Sequence, residues 1–127
     1  MRAAILSIFL LLTATVPLRA EIKCETYANA KIIADDNRYL GKIASVSDAE
    51  SILNKYGNYG NKYSPTSIWN DYGHYGGKYS GFSPFNPYSR KPPQIVTQTG
   101  KKIGKLTVNR TLTGAVSPYF LQSCRYY

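Results

Sequence analysis

One histidine, two cysteines and seven carboxylates are the conventional catalytic material in this 127-residue chain. His74 is the sole candidate general base, and it lies inside an internal repeat whose neighbouring copy carries Asn58 at the same place. A position that accepts Asn in its twin reads as a turn residue, so a hydrolytic triad is not expected. His74, Asp71 and the cysteines show no metal-ligand spacing. The Asp35-Asp36-Asn37 cluster lacks the alternating oxygens and closing Glu of a calcium loop, and is read as a hairpin turn. The repeat glycines are set among tyrosines, without the strand-then-helix context of a phosphate cradle. No cofactor, metal or catalytic residue is expected. What remains is aromatic and basic: Tyr59, Tyr63, Trp69, Tyr75 and Tyr79, interleaved with Lys62 and Lys78. Such rings flanked by ammonium groups can stack on bases or sugar rings. They can equally form the core of a chain with few aliphatics. Core packing is the expected role, because Tyr recurs at fixed repeat positions with or without a lysine beside it.

The element that positions these rings is a repeat with a period of 16 residues. Ser51-Ile52-Leu53-Asn54-Lys55-Tyr56-Gly57 returns as Ser67-Ile68-Trp69-Asn70-Asp71-Tyr72-Gly73, and again as Ser83-Pro84-Phe85-Asn86-Pro87-Tyr88-Ser89. Three copies in phase imply structural units laid side by side. Gly57 and Gly60 oppose a continuous helix, so each unit is expected to hold one short helical turn and a loop. Ser64-Pro65 suits a helix start, and Ser47-Asp48-Ala49-Glu50 spells a capping box. Asn54, Asn70 and Asn86 are placed to bond back to turn backbone. Leu53, Trp69 and Phe85 put a large apolar side chain at one repeat position, which predicts burial under each turn. Pro84, Pro87, Pro92 and Pro93 are expected to close the array in extended conformation.

Hairpins flank the repeat. Residues 30–45 and 94–108 each show two β-rich runs around a turn, and both are expected to join one sheet. Gly41 and Gly104, within Leu40-Gly41-Lys42-Ile43 and Ile103-Gly104-Lys105-Leu106, would mark bulges or close backbone approach. Residues 111–120 are expected to add a last strand. The chain opens with Met1-Arg2, an apolar run from Ile5 to Leu12, and small residues up to Ala20. This is the pattern of a cleaved secretory signal peptide forming an N-terminal signal helix. The run is shorter than the roughly 20 residues that span a bilayer. The reading is therefore a signal over 1–20 and a single mature domain over 21–127, with no transmembrane segment after cleavage. That domain comprises the hairpin 30–45, the repeat 48–93, the hairpin 94–108 and a C-terminal segment 111–127. Its fold class is small and mainly β, with an irregular Tyr/Gly-rich repeat.

Cys24 and Cys124 are expected to be disulfide-bonded, the default for an even count in an exported chain. Closing a loop of about 100 residues stabilises by up to roughly 4.7 kcal/mol in the chain-entropy picture. Charge is divided along the chain. Six of the seven acidic residues precede Ser51, while ten Lys or Arg follow it against Asp71 alone. The second half is thus a cationic field that attracts polyanions.

The pattern Asn-x-Tyr-Gly-x-Tyr-Gly-x-x-Tyr-Ser-x-x-Ser-Ile, preceded by Tyr39-Leu40-Gly41-Lys42 and ended by Asn86-Pro87-Tyr88, resembles a group of small exported bacterial proteins without an assigned activity. The resemblance covers residues 38–93. Lys55 and Asp71 stand where the group carries proline. It implies export and the repeat, and no reaction. The expected function is a non-enzymatic binding or structural role at the cell envelope or outside the cell, in a secreted or periplasmic protein. Its expected partner is a polyanionic envelope component or another protein. Two alternatives are a basic, aromatic binder of acidic glycan, anionic lipid or nucleic acid, and an enzyme inhibitor presenting 80–93 as a proline-stiffened loop. The exported protein should have a mass that begins near Glu21 and show no reactive thiol until reduced. Mass spectrometry with thiol labelling tests both, and an acylated or thiol-reactive Cys24 in the native protein would refute the pairing.

Overall fold

The computed structural model describes residues 23–126; the proposed signal segment lies outside them. Five strands form one sheet: β1 (Lys31–Ile33), β2 (Tyr39–Lys42), β3 (Gln94–Val96), β4 (Lys102–Leu106) and β5 (Ala115–Val116), in the order β2-β1-β3-β4-β5. Both expected hairpins are present. β1 and β2 turn through Asn37, held at a left-handed φ of 67°, and β3 and β4 turn through Gly100. The antiparallel β1–β3 pair joins the two hairpins, placing Ile32 opposite Ile95 at the centre of the core. The expected last strand shrinks to Ala115–Val116, which runs parallel to β4. Gly104 admits it: a Cβ there would lie 3.1 Å from the Val116 side chain and 3.3 Å from the Gly114 carbonyl. The chain then forms a helix, α1 (Pro118–Ser123), capped by Ser117, and delivers Cys124 to its disulfide with Cys24.

Between the hairpins, residues 45–89 form a chain of tight turns and contain no helix, so the expected helical turns and capping box are corrected. Backbone bonds close from Asp48 N to Ser45 O, then at Ser51, Asn54, Gly57, Gly60, Ser64, Ser67, Asn70, Gly73, Gly76, Ser80, Ser83, Asn86 and Ser89, each spanning three residues. Once per unit the step lengthens: the Gly57 carbonyl accepts from both Gly60 N and Asn61 N, and the Gly73 carbonyl from Gly76 N and Gly77 N. Four turns of three residues and one of four give the period of 16. Beneath the visible repeat is therefore a triplet, in which a Ser, Asn, Asp or Gly opens each turn and an aromatic or other bulky residue usually closes it.

The reason lies in the opening residues. Each non-glycine one accepts, through its side-chain oxygen, the backbone N–H two residues on. Examples are Ser51 Oγ from Leu53 N at 3.0 Å, Asn54 Oδ1 from Tyr56 N at 3.0 Å, Ser67 Oγ from Trp69 N at 3.1 Å and Asn70 Oδ1 from Tyr72 N at 3.1 Å. The same bond starts at Ser45, Asp48, Asn61, Ser64, Ser80, Ser83, Asn86 and Ser89. Such local bonds hold backbone in turns in place of a helical ladder. The three repeat asparagines work twice. Asn54, Asn70 and Asn86 donate through Nδ2 to the carbonyls of Asp48, Ser64 and Ser80, each at 3.1 Å. Pro65, Pro84 and Pro87 occupy the second position of turns, where their fixed φ fits. Of the four prolines expected to be extended, only Pro92 and Pro93 lead straight into β3.

The array lies against the sheet along one seam. Ser51, Ile52, Ser67, Ile68, Ser83 and Pro84 are buried, the two isoleucines joining Ile32, Leu40, Ile95, Leu106 and Leu121 in one core. At one end Lys42 N donates to Glu50 O, and Ile52 N to Lys42 O; at the other Val108 N donates to Pro84 O. The turn chain thus crosses the sheet from β2 to the segment beyond β4. Close approach is built in at Gly76, where a Cβ would meet the carbonyls of Asn70 and Ile68. Asn70→Ala should lower unfolding free energy by about 1–3 kcal/mol through its two lost bonds. Urea denaturation measures this, and Gly76→Ala should prevent cooperative folding.

Candidate aromatic and basic binding face

Five turns per unit make five corners, and the corners have different fates. The first, at Leu53, Trp69 and Phe85, is half-buried in every copy, not fully buried, and Leu53 and Trp69 pack against the core. Trp69 and Phe85 lie 5.4 Å apart between ring centres, Phe85 and Tyr119 of α1 5.3 Å apart. Trp69 Nε1 donates to the Ile52 carbonyl at 2.6 Å, tying the second unit to the first.

The third corner turns Tyr59 and Tyr75 toward the first hairpin. Tyr59 stands edge-on to Tyr39 at 5.1 Å and covers Gly41, whose φ of 98° and missing Cβ permit the approach. Tyr39 donates its hydroxyl to Glu50 at 3.0 Å. Burial first, and that carboxylate second, raise its pKa well above the usual phenol range. Tyr75 donates to Asp36 at 2.8 Å, and burial followed by this bond raises its pKa too. His74 sits beside them with Nε2 4.0 Å from Asp36 and its ring 4.4 Å from Phe82. The acidic turn of the first hairpin is therefore a docking point for the second unit.

The second and fourth corners point outward. Tyr56, Tyr72 and Tyr88 are 96%, 100% and 88% exposed, and Tyr63 and Tyr79 are 78% and 87% exposed. The expectation that the repeat tyrosines form core fails for these five. The aliphatic Ile52 and Ile68 with the buried serines fill the seam instead, leaving no inward place for the rings. Two ladders result, one of three rungs and one of two. In the two-rung ladder Lys62 Nζ lies 5.1 Å from the Tyr63 ring centre, and Lys78 Nζ 5.1 Å from that of Tyr79. Among the described residues neither lysine has a carboxylate partner within ion-pair range; the direct pairs are Lys42 with Asp48 at 3.0 Å and, when protonated, His74 with Asp36.

Of the residues singled out from sequence, Tyr63, Tyr79, Lys62 and Lys78 thus belong to an exposed face. Tyr59 and Tyr75 are structural, and Trp69 bridges units. Tyr56, Tyr72 and Tyr88 were missed. The triplet spacing could have found them, since they close the turns opened by the doubly bonded asparagines. Residues 80–93 do not project as a loop: Ser83, Pro84, Ser89, Pro92 and Pro93 are buried. A cavity of about 680 Å³ lies between the first unit and the C-terminal segment, with Lys62 and Tyr63 in its wall. No described group of three or more His, Cys, Asp or Glu could hold a metal ion, and no described helix is long and apolar enough to cross a membrane. Compared with protein-family models, curated proteins and solved structures, the chain matches none.

One half-buried ring carries a buried hydroxyl. Among the described residues the Tyr126 hydroxyl has no hydrogen-bond partner, and burial, followed by the nearby Tyr27, pushes its pKa up to about 12. A phenol raised this way stabilises the fold fully below its unfolded value near 10. That contribution is lost as pH rises toward 12, because only the unfolded chain ionises readily. Stability should fall across that window, and Tyr126→Phe should reduce the fall while leaving neutral-pH stability equal or higher. Circular dichroism melts at pH 8 through 12 measure both.

Proposed function

We propose that the protein is an exported, non-enzymatic binding domain that holds an acidic glycan chain outside the cytoplasm through its tyrosine ladders. The observation that carries this reading is the set of five tyrosines, each at least 78% exposed, at corners that recur every 16 residues on a scaffold of bonded turns. Exposed rings that recur at equivalent positions on one array are candidates for an interaction surface. A lattice of equivalent rings matches a ligand that itself repeats, and stacking on rings tolerates variation along such a chain. Lys62 and Lys78 beside their rings add attraction for carboxylate groups, with Lys55 and Arg90 in the same half. The disulfide and the signal-like opening support an oxidising, exported location. The resemblance of residues 38–93 to exported repeat proteins agrees with it.

Because the ladders are exposed, substitutions there separate binding from folding. Tyr72→Ala/Tyr79→Ala/Tyr88→Ala should unfold within about 0.5 kcal/mol of the parent. It should bind polygalacturonate at least tenfold more weakly, since stacking contributes on the order of 1–3 kcal/mol per ring. Lys78→Gln should flatten the decline of affinity with added salt. Equal binding by the triple variant would refute the ladder as contact face. Tighter binding of single-stranded DNA or of anionic vesicles than of polygalacturonate would refute glycan as the ligand.

A further inference from the structure

The cavity beside the first repeat unit shares Lys62 and Tyr63 with the two-rung ladder and adds an apolar wall. Its apolar wall comprises Leu53, Trp69 and Val46, the last 68% exposed at the rim, with Tyr63 on the repeat side. Two cations, Lys55 and Lys62, also line it, and among the described residues no carboxylate side chain does. Gln122 and Cys124 place α1 and the disulfide on the opposite side. A concave site of about 680 Å³, mostly apolar and with few convergent polar groups, has the proportions of a small-molecule pocket.

The polar groups restrict what such a pocket accepts. The Trp69 N–H is already given to the Ile52 carbonyl, so the ring offers the cavity an apolar surface and no donor. The Asn61 side-chain oxygen is likewise held by Tyr63 N at 2.9 Å. Lys55 and Lys62 are left as the charged donors. Long lysine stems lie along apolar surface and carry the ammonium to its edge. An apolar body inside with an anionic head at the mouth satisfies both halves. A cationic ligand would meet two ammonium groups and no counter-charge, and a neutral one would leave them unused.

We propose that this cavity is a binding site for a single-chain anionic amphiphile, a fatty carboxylate or its equivalent, held by Trp69 and Leu53 along its body and by Lys55 and Lys62 at its head. The site shares Tyr63 and Lys62 with the two-rung ladder, whereas Tyr72, Tyr79 and Tyr88 do not line it, so variants at those three separate this proposal from the glycan reading. Its location also makes it self-reporting, because Trp69 is the one tryptophan of the chain.

The test titrates the purified protein with dodecanoate below its micellar concentration, following Trp69 emission with calorimetry in parallel. Dodecanol and dodecyltrimethylammonium serve as neutral and cationic controls. The expected result is saturable one-to-one binding of dodecanoate, at least tenfold tighter than of either control. Lys55→Gln/Lys62→Gln, both at exposed positions, should reduce dodecanoate affinity to that of dodecanol, with the unfolding transition unchanged. Tyr72→Ala/Tyr79→Ala/Tyr88→Ala should bind dodecanoate as the parent does. No saturable heat or emission change, equal affinity for the three head groups, or unchanged affinity in the lysine variant would each overturn the proposal.

Discussion

A backbone that turns at every third residue cannot pair its amides in a ladder, and here short side chains accept them instead. Ser45, Asp48, Ser51 and Asn54 begin a series in which each opening oxygen takes the N–H two residues on, and the series runs through Ser89. Each bond is individually modest, with a net worth near 1 kcal/mol. Their weight comes from the alternative, because Ser51, Ser67 and Ser83 are wholly buried and an unmet amide beside them would be costly. The asparagines extend the scheme by holding a carbonyl six residues back with the same amide group. Without these bonds residues 45–89 would be a polar, glycine-rich tract with little reason to order.

Given an ordered turn chain, two further constraints place it. Ile52 and Ile68 are the aliphatic residues of the array that reach the sheet, so they define the seam along which it docks. The acidic first hairpin then sets rotation about that seam: Tyr39 with Glu50 and Tyr59, Asp36 with Tyr75 and His74. The charge asymmetry of the sequence thereby acquires a structural use. Asp36, Asp48 and Glu50 contact tyrosines, Lys42 and His74, while among the described residues no Lys or Arg after Ser51 has a carboxylate within ion-pair range.

The disulfide closes the opposite side. Cys24 and Cys124 join the two ends of the described chain, and α1 carries Tyr119 against Phe85 and forms one side of the cavity. A domain of this size buries limited apolar surface, so one long-loop bond and a dense set of local polar bonds share the work that a larger core does elsewhere. The consequence for function is that five repeat tyrosines are released from packing. Five repeat tyrosines stand outside because aliphatic side chains and serines, not rings, line the seam.

By itself the sequence determined the features that local chemistry dictates. The two hairpins follow from β-rich runs around Asp35-Asp36-Asn37 and Thr99-Gly100, the cysteine pairing from count and context, and the 16-residue unit from identity between copies. The role of Asn54, Asn70 and Asn86 was also legible, since an amide at a turn has few other uses. Tertiary structure alone decided which ring at which corner faces water. Tyr59 and Tyr63 differ little in local sequence, yet one packs on Gly41 and the other stands in solvent, because corner direction accumulates through a four-residue step once per unit. The parallel β5, the helix that follows it and the cavity beside Trp69 likewise depend on contacts between segments far apart in the chain. Local propensity has no access to such distances, and the packing of Ile52 and Ile68 against the sheet resolves what periodicity left open.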